Sequence, residues 1–420
     1  MSFKDFQLHP KINTNIASCG YTQPTPIQTK AIPPILAGQD VLGLAQTGTG
    51  KTAAFVLPIV QHLLTGPRKI VRALIVAPTR ELAEQIHDNV ITLAAKTGIK
   101  SVVVYGGVGK QPQIRAIRSG AEIIVACPGR LLDILTEKDI TLKHVETLVL
   151  DEADHMFDKG FLPDIRRIVK QLPLKRQSLV FSATMPKAIR HLAEEILTEP
   201  CTLQINHTAP APLISHTLIR VAREQKTSLL KQMLQEKEMT STVVFTRTKH
   251  KARSLAQQLE RSGHKAVSLQ GNLSQQKRRI AMDGFRNGTF SVLVATDIAA
   301  RGIDVSNISH VINYDVPDTA ETYTHRTGRT GRAKQSGQAV TFADRGDQVM
   351  ISQIERILGK KMNLRPLDQI IKVQEWHKES RKTAVPIKKE GAPRQKSNNA
   401  RNKNRRNKSV SFDFGINTSS

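Results

Sequence analysis

The stretch VLGLAQTGTGKTAAF, residues 41–55, decides the fold. Val41–Ala45 is a short apolar run of strand length. Gln46-Thr47-Gly48-Thr49-Gly50-Lys51-Thr52 follows, and then a helical pattern opening Ala53-Ala54-Phe55. A strand, a glycine-rich turn and a Lys-Thr pair at a helix start form a phosphate cradle, because glycines let backbone N–H groups converge on phosphate oxygens. Lys51 then reaches the β and γ oxygens, and the Thr52 hydroxyl can ligate Mg²⁺. The general pattern begins with Gly where Ala45 stands here, so a second motif is needed to support the first.

Leu148-Val149-Leu150-Asp151-Glu152-Ala153-Asp154 supplies it. A hydrophobic strand ending in paired carboxylates puts Asp151 at the C-terminal edge of a sheet, beside the phosphate loop. There Asp151 can hold Mg²⁺ through water, and Glu152 can orient the attacking water. Single acids after a strand also serve as helix caps, but both motifs in one chain point to nucleoside triphosphate hydrolysis.

Outward from these motifs, β-branched runs alternate with amphipathic helical patterns. In the first half the runs are Val41–Ala45, Ala73–Ala77, Ser101–Tyr105, Glu122–Ala126, Thr147–Leu150 and Ser178–Phe181, with helical segments such as Arg80–Ala95 and Pro163–Gln171 between them. In the second half they are Thr242–Thr246, Ala266–Leu269, Ser291–Thr296, His310–Tyr314 and Gly337–Phe342. Nearly continuous apolar strands separated by helices predict an α/β fold, a parallel sheet covered on both faces, and here it occurs twice. The Pro-containing stretch Asn206–Leu213 reads as a linker. The expected division is residues 1–205, linker 206–213, 214–366 and a tail 367–420. Within the tail, His377–Ser420 carries 12 Lys/Arg against 3 Asp/Glu and has little to bury, so it is expected to be disordered and to tether RNA.

The whole chain of 420 residues carries 62 Lys and Arg against 36 Asp and Glu, a formal charge of +26. Such a surplus attracts polyanions. Aromatics are only 4%, which favours contact with phosphates over base stacking, and with it little sequence preference. Cys19, Cys127 and Cys201 are scattered and show no metal-ligand spacing, as in a reducing cytoplasm. The apolar stretches are too short for a membrane span, and the opening MSFKDF lacks a secretory pattern.

Asp151–Asp154 spell DEAD, and the chain from Ser2 to Met362 resembles the DEAD-box RNA helicases of superfamily two. The resemblance implies two RecA-like domains and ATP-driven local RNA unwinding or remodelling. Gly20-Tyr21-Thr22-Gln23-Pro24-Thr25-Pro26-Ile27-Gln28 resembles the adenine-reading Q motif, in which Gln28 contacts the base, Tyr21 belongs to the same nucleotide site, and Phe3, with Phe6 as the alternative, stacks on the base. Ser182-Ala183-Thr184 resembles the coupling motif, with contacts to Asp154. Pro78-Thr79-Arg80, Gly106-Gly107 and Pro128-Gly129-Arg130 resemble RNA-backbone motifs, with Arg80, Gly107 and Arg130 as contacts; the family usually has Thr where Cys127 stands. In the second half, Gln270, Gly271 and Thr296 are implied RNA contacts. His325-Arg326-Thr327-Gly328-Arg329-Thr330-Gly331-Arg332 implies Arg329 and Arg332 as arginine fingers and His325 as a bridge to the DEAD segment. Asp304 is implied at the ribose or beside a finger. The opening MSFKDFQLHP and the basic tail are most similar to the RhlE-like bacterial subgroup.

The cofactors implied are ATP and Mg²⁺, and the partner is RNA. The RNA itself is open among ribosomal precursors, messages and substrates of the RNA-decay machinery. Two other classes remain in view: an ATP-dependent RNA clamp without turnover, and a DNA-dependent translocase. Intact Lys51, Glu152 and arginine fingers speak against the first.

Overall fold

Short β-branched segments form strands here because helices cover both faces of the sheets they join. The computed structural model describes residues 1–45, 48–137, 139–205, 214–300, 308–331 and 336–367, except the side chains of Ile298 and Ala300. In the first half the strands are β1 (Val41–Leu44), β2 (Ala73–Val76), β3 (Ser101–Val104), β4 (Ile123–Ala126), β5 (Thr147–Leu150), β6 (Gln177–Ser182) and β7 (Cys201–Gln204). They lie side by side in the order β3-β4-β2-β5-β6-β1-β7, and every pairing is parallel.

The second half repeats the plan with β8 (Ile214–Arg220), β9 (Thr242–Phe245), β10 (Ala266–Leu269), β11 (Val292–Ala295), β12 (His310–Asn313), β13 (Gly337–Ala343) and β14 (Asn363–Leu364). Their order is β10-β11-β9-β12-β13-β8-β14, again parallel throughout. Counted within each half, both orders are third, fourth, second, fifth, sixth, first, seventh. The two halves are therefore the same doubly wound, RecA-like topology, as expected from the double alternation.

Pleating sends alternate residues of a strand to opposite faces. Ala73 and Ile75 of β2 enter one core of the first half, while Leu74 and Val76 enter the other. In β11, Val292 and Val294 face one core of the second half, and Leu293 and Ala295 the other. Each fully buried Val, Leu or Ile among them contributes about 1.5–3 kcal/mol. The helix Arg80–Leu93 shows the matching logic: Thr79 accepts the Leu82 N–H at 3.2 Å as its cap, and Leu82, Ile86, Val90 and Leu93 form the buried stripe.

Three strands escape the apolar-run criterion. β7 and β14 are at sheet edges, and β8 lies next to β14. Their sequences CTLQ, NL and ISHTLIR mix polar with apolar residues, because at least one face or edge meets solvent. Among the described residues no helix is long and apolar enough to cross a membrane.

Candidate active site

The phosphate loop follows β1 and feeds the helix Lys51–Leu63. Gly48 and Gly50 have φ of 82° and 91°, a left-handed backbone that glycine adopts at little cost. Gly50 is also crowded, since a Cβ there would lie 2.6 Å from Gln28 Nε2. Gln28 is buried at the start of the helix Pro26–Leu36. Its Nε2 donates to the Gly50 carbonyl at 3.1 Å, and its Oε1 accepts the Thr25 N–H at 2.9 Å. The amide thus anchors the loop, and among the described residues one N–H and one lone pair of it take no further partner. Lys51 Nζ donates to the Ala45 carbonyl at 2.9 Å and lies 3.9 Å from Asp151 Oδ1. Phe3 and Phe6 are both buried, and the Phe3 ring stacks on Tyr21 with centroids 6.2 Å apart.

Asp151, Glu152 and Asp154 lie where β5 turns into the short helix Ala153–Asp158. Glu152 sits in that turn with φ 54° and ψ 53°. A non-glycine residue held there costs on the order of 1 kcal/mol, a kind of strain concentrated at functional sites. The Glu152 N–H donates to Asp151 Oδ1 at 3.0 Å, and Glu152 Oε2 lies 3.3 Å from His155 Nδ1. Burial pushes the Asp151 carboxyl up to about 6, against the pull of Lys51. At Glu152 burial also favours the neutral form, but His155 and the charges of Lys51 and Arg329 outweigh it and hold the carboxyl at about 2. As the pH falls Asp151 therefore takes up a proton before Glu152 does, and Glu152 stays ionised.

Asp154 is the hub of the next layer. Its Oδ2 accepts the Ala183 N–H at 3.1 Å, the Thr184 N–H at 2.8 Å and the Thr184 hydroxyl at 3.0 Å. Ser182 Oγ accepts the Asp154 N–H at 3.1 Å and donates to the Thr184 carbonyl at 2.7 Å. Across from this hub lies the second half of the chain. A cavity of about 210 Å³ is lined by Glu152, Asp154 and Thr184 on one side and by Thr324, His325 and Arg329 on the other. Arg329 is buried, and its Nε donates to the His325 carbonyl at 3.2 Å. Arg326 holds this segment in place: it pairs with both oxygens of Asp297 at 2.5 and 2.7 Å and donates to the Asp315 carbonyl at 2.7 Å.

The residues resembling RNA motifs surround a second cleft of about 520 Å³, whose lining includes Arg80, Gly106, Cys127 and Arg130 together with Gly271 and Arg278. Gly107, at φ 86°, has no Cβ to meet the Arg80 guanidinium that rests against it. Arg130 pairs with Asp133 at 3.3 Å and donates to the Val108 carbonyl at 3.0 Å. Burial pushes the Cys127 thiol up to about 12, so it presents a neutral group to the cleft. Gln270 is buried, and its Oε1 accepts the Asn272 N–H at 2.7 Å, so its side chain shapes the turn that exposes Gly271. Thr296 is half-buried at the end of β11.

Gln46, Thr47, Asp304 and Arg332 lie outside the described residues, as do the linker 206–213 and the tail from 368. Sequence reasoning missed the Arg278–Glu81 pair, which bridges the two halves at 2.5 Å with side chains 9% and 13% exposed. It also missed the supporting roles of Arg326 and His155. Glu81 stands inside the quoted Pro78–Leu82 motif, and Arg278 in a helix rich in Lys and Arg; nothing local marks their pairing across 197 positions.

Comparison with known proteins follows the same division. Residues 25–192 match the DEAD/DEAH box helicase family, and residues 225–334 match the helicase conserved C-terminal domain. The chain is 42% identical over 361 residues to the ATP-dependent RNA helicase CshA of Listeria monocytogenes, covering 86% of this chain and 69% of that protein. It is 40% identical over 378 residues to CshA of Geobacillus kaustophilus, covering 89% and 81%. Among solved structures it is similar to S. cerevisiae Dbp5 bound to RNA and ADP BeF3, with a TM-score of 0.79, 32% identity and coverage of 88% and 96%. Mss116p bound to ssRNA and AMP-PNP gives a TM-score of 0.78 at 27% identity, covering 89% and 82%.

Proposed function

The chain belongs to the DEAD-box family of ATP-dependent RNA helicases, and on that premise we propose how its own residues divide the work. The domains are residues 1–205 and 214–366, joined by the linker 206–213, with a basic RNA-tethering tail from 367. The ATP pocket is split between them. Gln28 selects adenine with its free N–H and lone pair, Phe3 and Tyr21 flank the base, and Gly48, Thr49, Gly50 and Lys51 with Gln46 and Thr47 cradle the phosphates. Glu152 orients the attacking water. Arg329 and Arg332 approach the γ-phosphate from the second domain, and Asp304 serves the ribose side.

Mg²⁺ fits this pocket by its chemistry: the Thr52 hydroxyl and the Asp151 carboxylate are hard oxygen donors, and a cation would relieve the repulsion of Asp151 with Glu152 and Asp154. When bound, the ion would neutralise charge building up between the β and γ oxygens. RNA lies in the cleft against Arg80, Gly107, Arg130, Gln270, Gly271 and Thr296. Asp154, Ser182, Thr184 and His325 join the two sites, so that ATP and RNA together close the domains and neither alone does so well. Closure bends one strand away from its complement, and hydrolysis reopens the cleft. The setting is cytoplasmic, the RhlE-like placement stands as the finer family reading, and ribosomal precursors or RNA-decay intermediates are the candidate RNAs.

The observation that carries this division is the one cavity that Glu152 and Asp154 of the first domain line together with His325 and Arg329 of the second. The test is Glu152→Gln. It should keep ATP-dependent RNA binding and lose RNA-stimulated turnover by a factor of about 10² or more. Wild-type turnover in that variant would remove Glu152 from its assigned place. Comparing stimulation by RNA and by DNA of equal length separates the RNA helicase from a DNA translocase.

A further inference from the structure

One groove of the second domain has no role in the division above. It has a volume of about 580 Å³ and runs beside β10, which pairs with β11 on one side only. The helix Lys249–Arg261 and the first turn of the helix Gln275–Arg286 form its walls. Four basic side chains stand on the rim: Lys249, His250, Arg253 and Lys277. All four are exposed, and none makes an ion pair among the described residues. Glu260 is the one carboxylate in the lining. The floor is apolar and includes Val267, Leu273 and the half-buried ring of Phe290.

Two details suit the groove to a nucleic-acid strand. Leu273 lines both this groove and the cleft that holds Arg80 and Arg130, so the two adjoin at the Gln270–Leu273 turn. Lys249 Nζ donates to Asn272 Oδ1 at 3.2 Å and fixes the rim to that turn. Phe290 is held rigid, since its N–H donates to the Gly284 carbonyl at 2.9 Å and its ring fills the space a Cβ on Gly284 would need. Cations along a groove with a fixed aromatic at its base are the elements that bind single strands without sequence preference.

We propose that this groove extends the RNA path. A single-stranded flank leaving the cleft lays its phosphates against Lys249, Arg253 and Lys277 and stacks a base on Phe290. This rests on reading the cleft as the RNA site. An extended acidic peptide added to the open edge of β10 would use the same walls. Adjacency to the cleft, which a peptide does not need, and a rim of four basic side chains against one carboxylate favour RNA.

The experiment compares the full chain with the variant Arg253→Gln, Lys277→Gln, Phe290→Leu, using an ATP analogue and Mg²⁺. The RNAs are a short oligonucleotide that fills only the cleft and the same RNA lengthened at either end. Wild type should gain about tenfold in affinity from lengthening at one end only, and the variant should lose that gain. The salt slope on the longer RNA should fall by about 2 in the variant, one for each lost cation. A 4-thiouridine in the flank should crosslink to the peptide containing Phe290. Equal gains in both proteins, or no gain in either while short RNA still binds, overturns the proposal, and the second result would leave an acidic peptide as the occupant to seek. Failure of the cleft reading looks different: the short RNA would bind neither protein.

Discussion

Breaking the Arg278–Glu81 pair should weaken closure far more than it weakens the fold. The pair bridges the two domains at 2.5 Å, with both side chains nearly buried. Arg278 also donates to the Gln270 carbonyl at 3.2 Å, so it ties the pair to the turn that presents Gly271. Two charges about 4 Å apart at an effective dielectric constant near 20 attract by about 4 kcal/mol, and desolvation offsets much of that. Removing one partner is different, because it leaves the other charge buried alone. That costs roughly 2–4 kcal/mol, and only in the closed form, since in the open form both groups are wet. RNA affinity in the presence of an ATP analogue should therefore drop by roughly 30-fold to several hundredfold in Arg278→Gln. Fluorescence anisotropy of a labelled single-stranded RNA measures it. Arg278 also faces the cleft, so a loss there alone is ambiguous, and Glu81→Gln decides. Removing a negative charge from an RNA cleft should strengthen binding if only phosphate attraction matters, whereas an interdomain latch requires it to weaken. The exchange Glu81→Arg with Arg278→Glu should recover part of the loss. Tighter or unchanged binding by Glu81→Gln would refute the latch.

Other consequences follow from single observations. Thr184→Val removes a hydroxyl donor to Asp154 at 3.0 Å; RNA-stimulated ATPase should stay within a few-fold while strand separation, read with a fluorescent duplex, falls at least tenfold, and parallel losses would contradict a coupling role. Burial holds the His216 imidazole down at about 4 in the folded chain, with Lys360 adding to the effect. An unfolded chain takes up that proton near pH 6.5, so this contribution is present above about 6.5 and is lost as the pH falls towards 4. It amounts to roughly 3 kcal/mol, and urea unfolding of His216→Asn should show a flatter pH dependence than wild type; identical slopes would contradict it. Deleting His377–Ser420 should weaken RNA binding and lower its salt slope with basal ATPase nearly intact, and unchanged affinity at low salt would reduce the segment to a solubilising appendage.

Much of the fold was legible because the inner strands are buried on both faces. Runs such as Ala73–Val76 and Val292–Ala295 are uniformly apolar, and their ends fall within a residue or two of the sequence-based limits. β7 and β8 were not legible because polar residues alternate with apolar ones there. The site motifs were legible for a related reason: they sit where strands end, and there the backbone geometry demands particular residues, as at Gly50 and Gly107. The bonds between distant segments carry no such mark. Gln28 holding the Gly50 carbonyl, Arg326 clasping Asp297, and Arg278 meeting Glu81 depend on three-dimensional closure that no local pattern encodes.

Domain closure itself can be followed by single-molecule energy transfer. Leu174 and Val349, 98% and 71% exposed, offer label sites in the two domains once Cys19, Cys127 and Cys201 are replaced. A pocket shared between hinged domains requires a high-transfer population that appears only when ATP analogue and RNA are both present, and that Arg329→Ala diminishes. A transfer distribution indifferent to the two ligands, or one that nucleotide alone shifts fully, would contradict it.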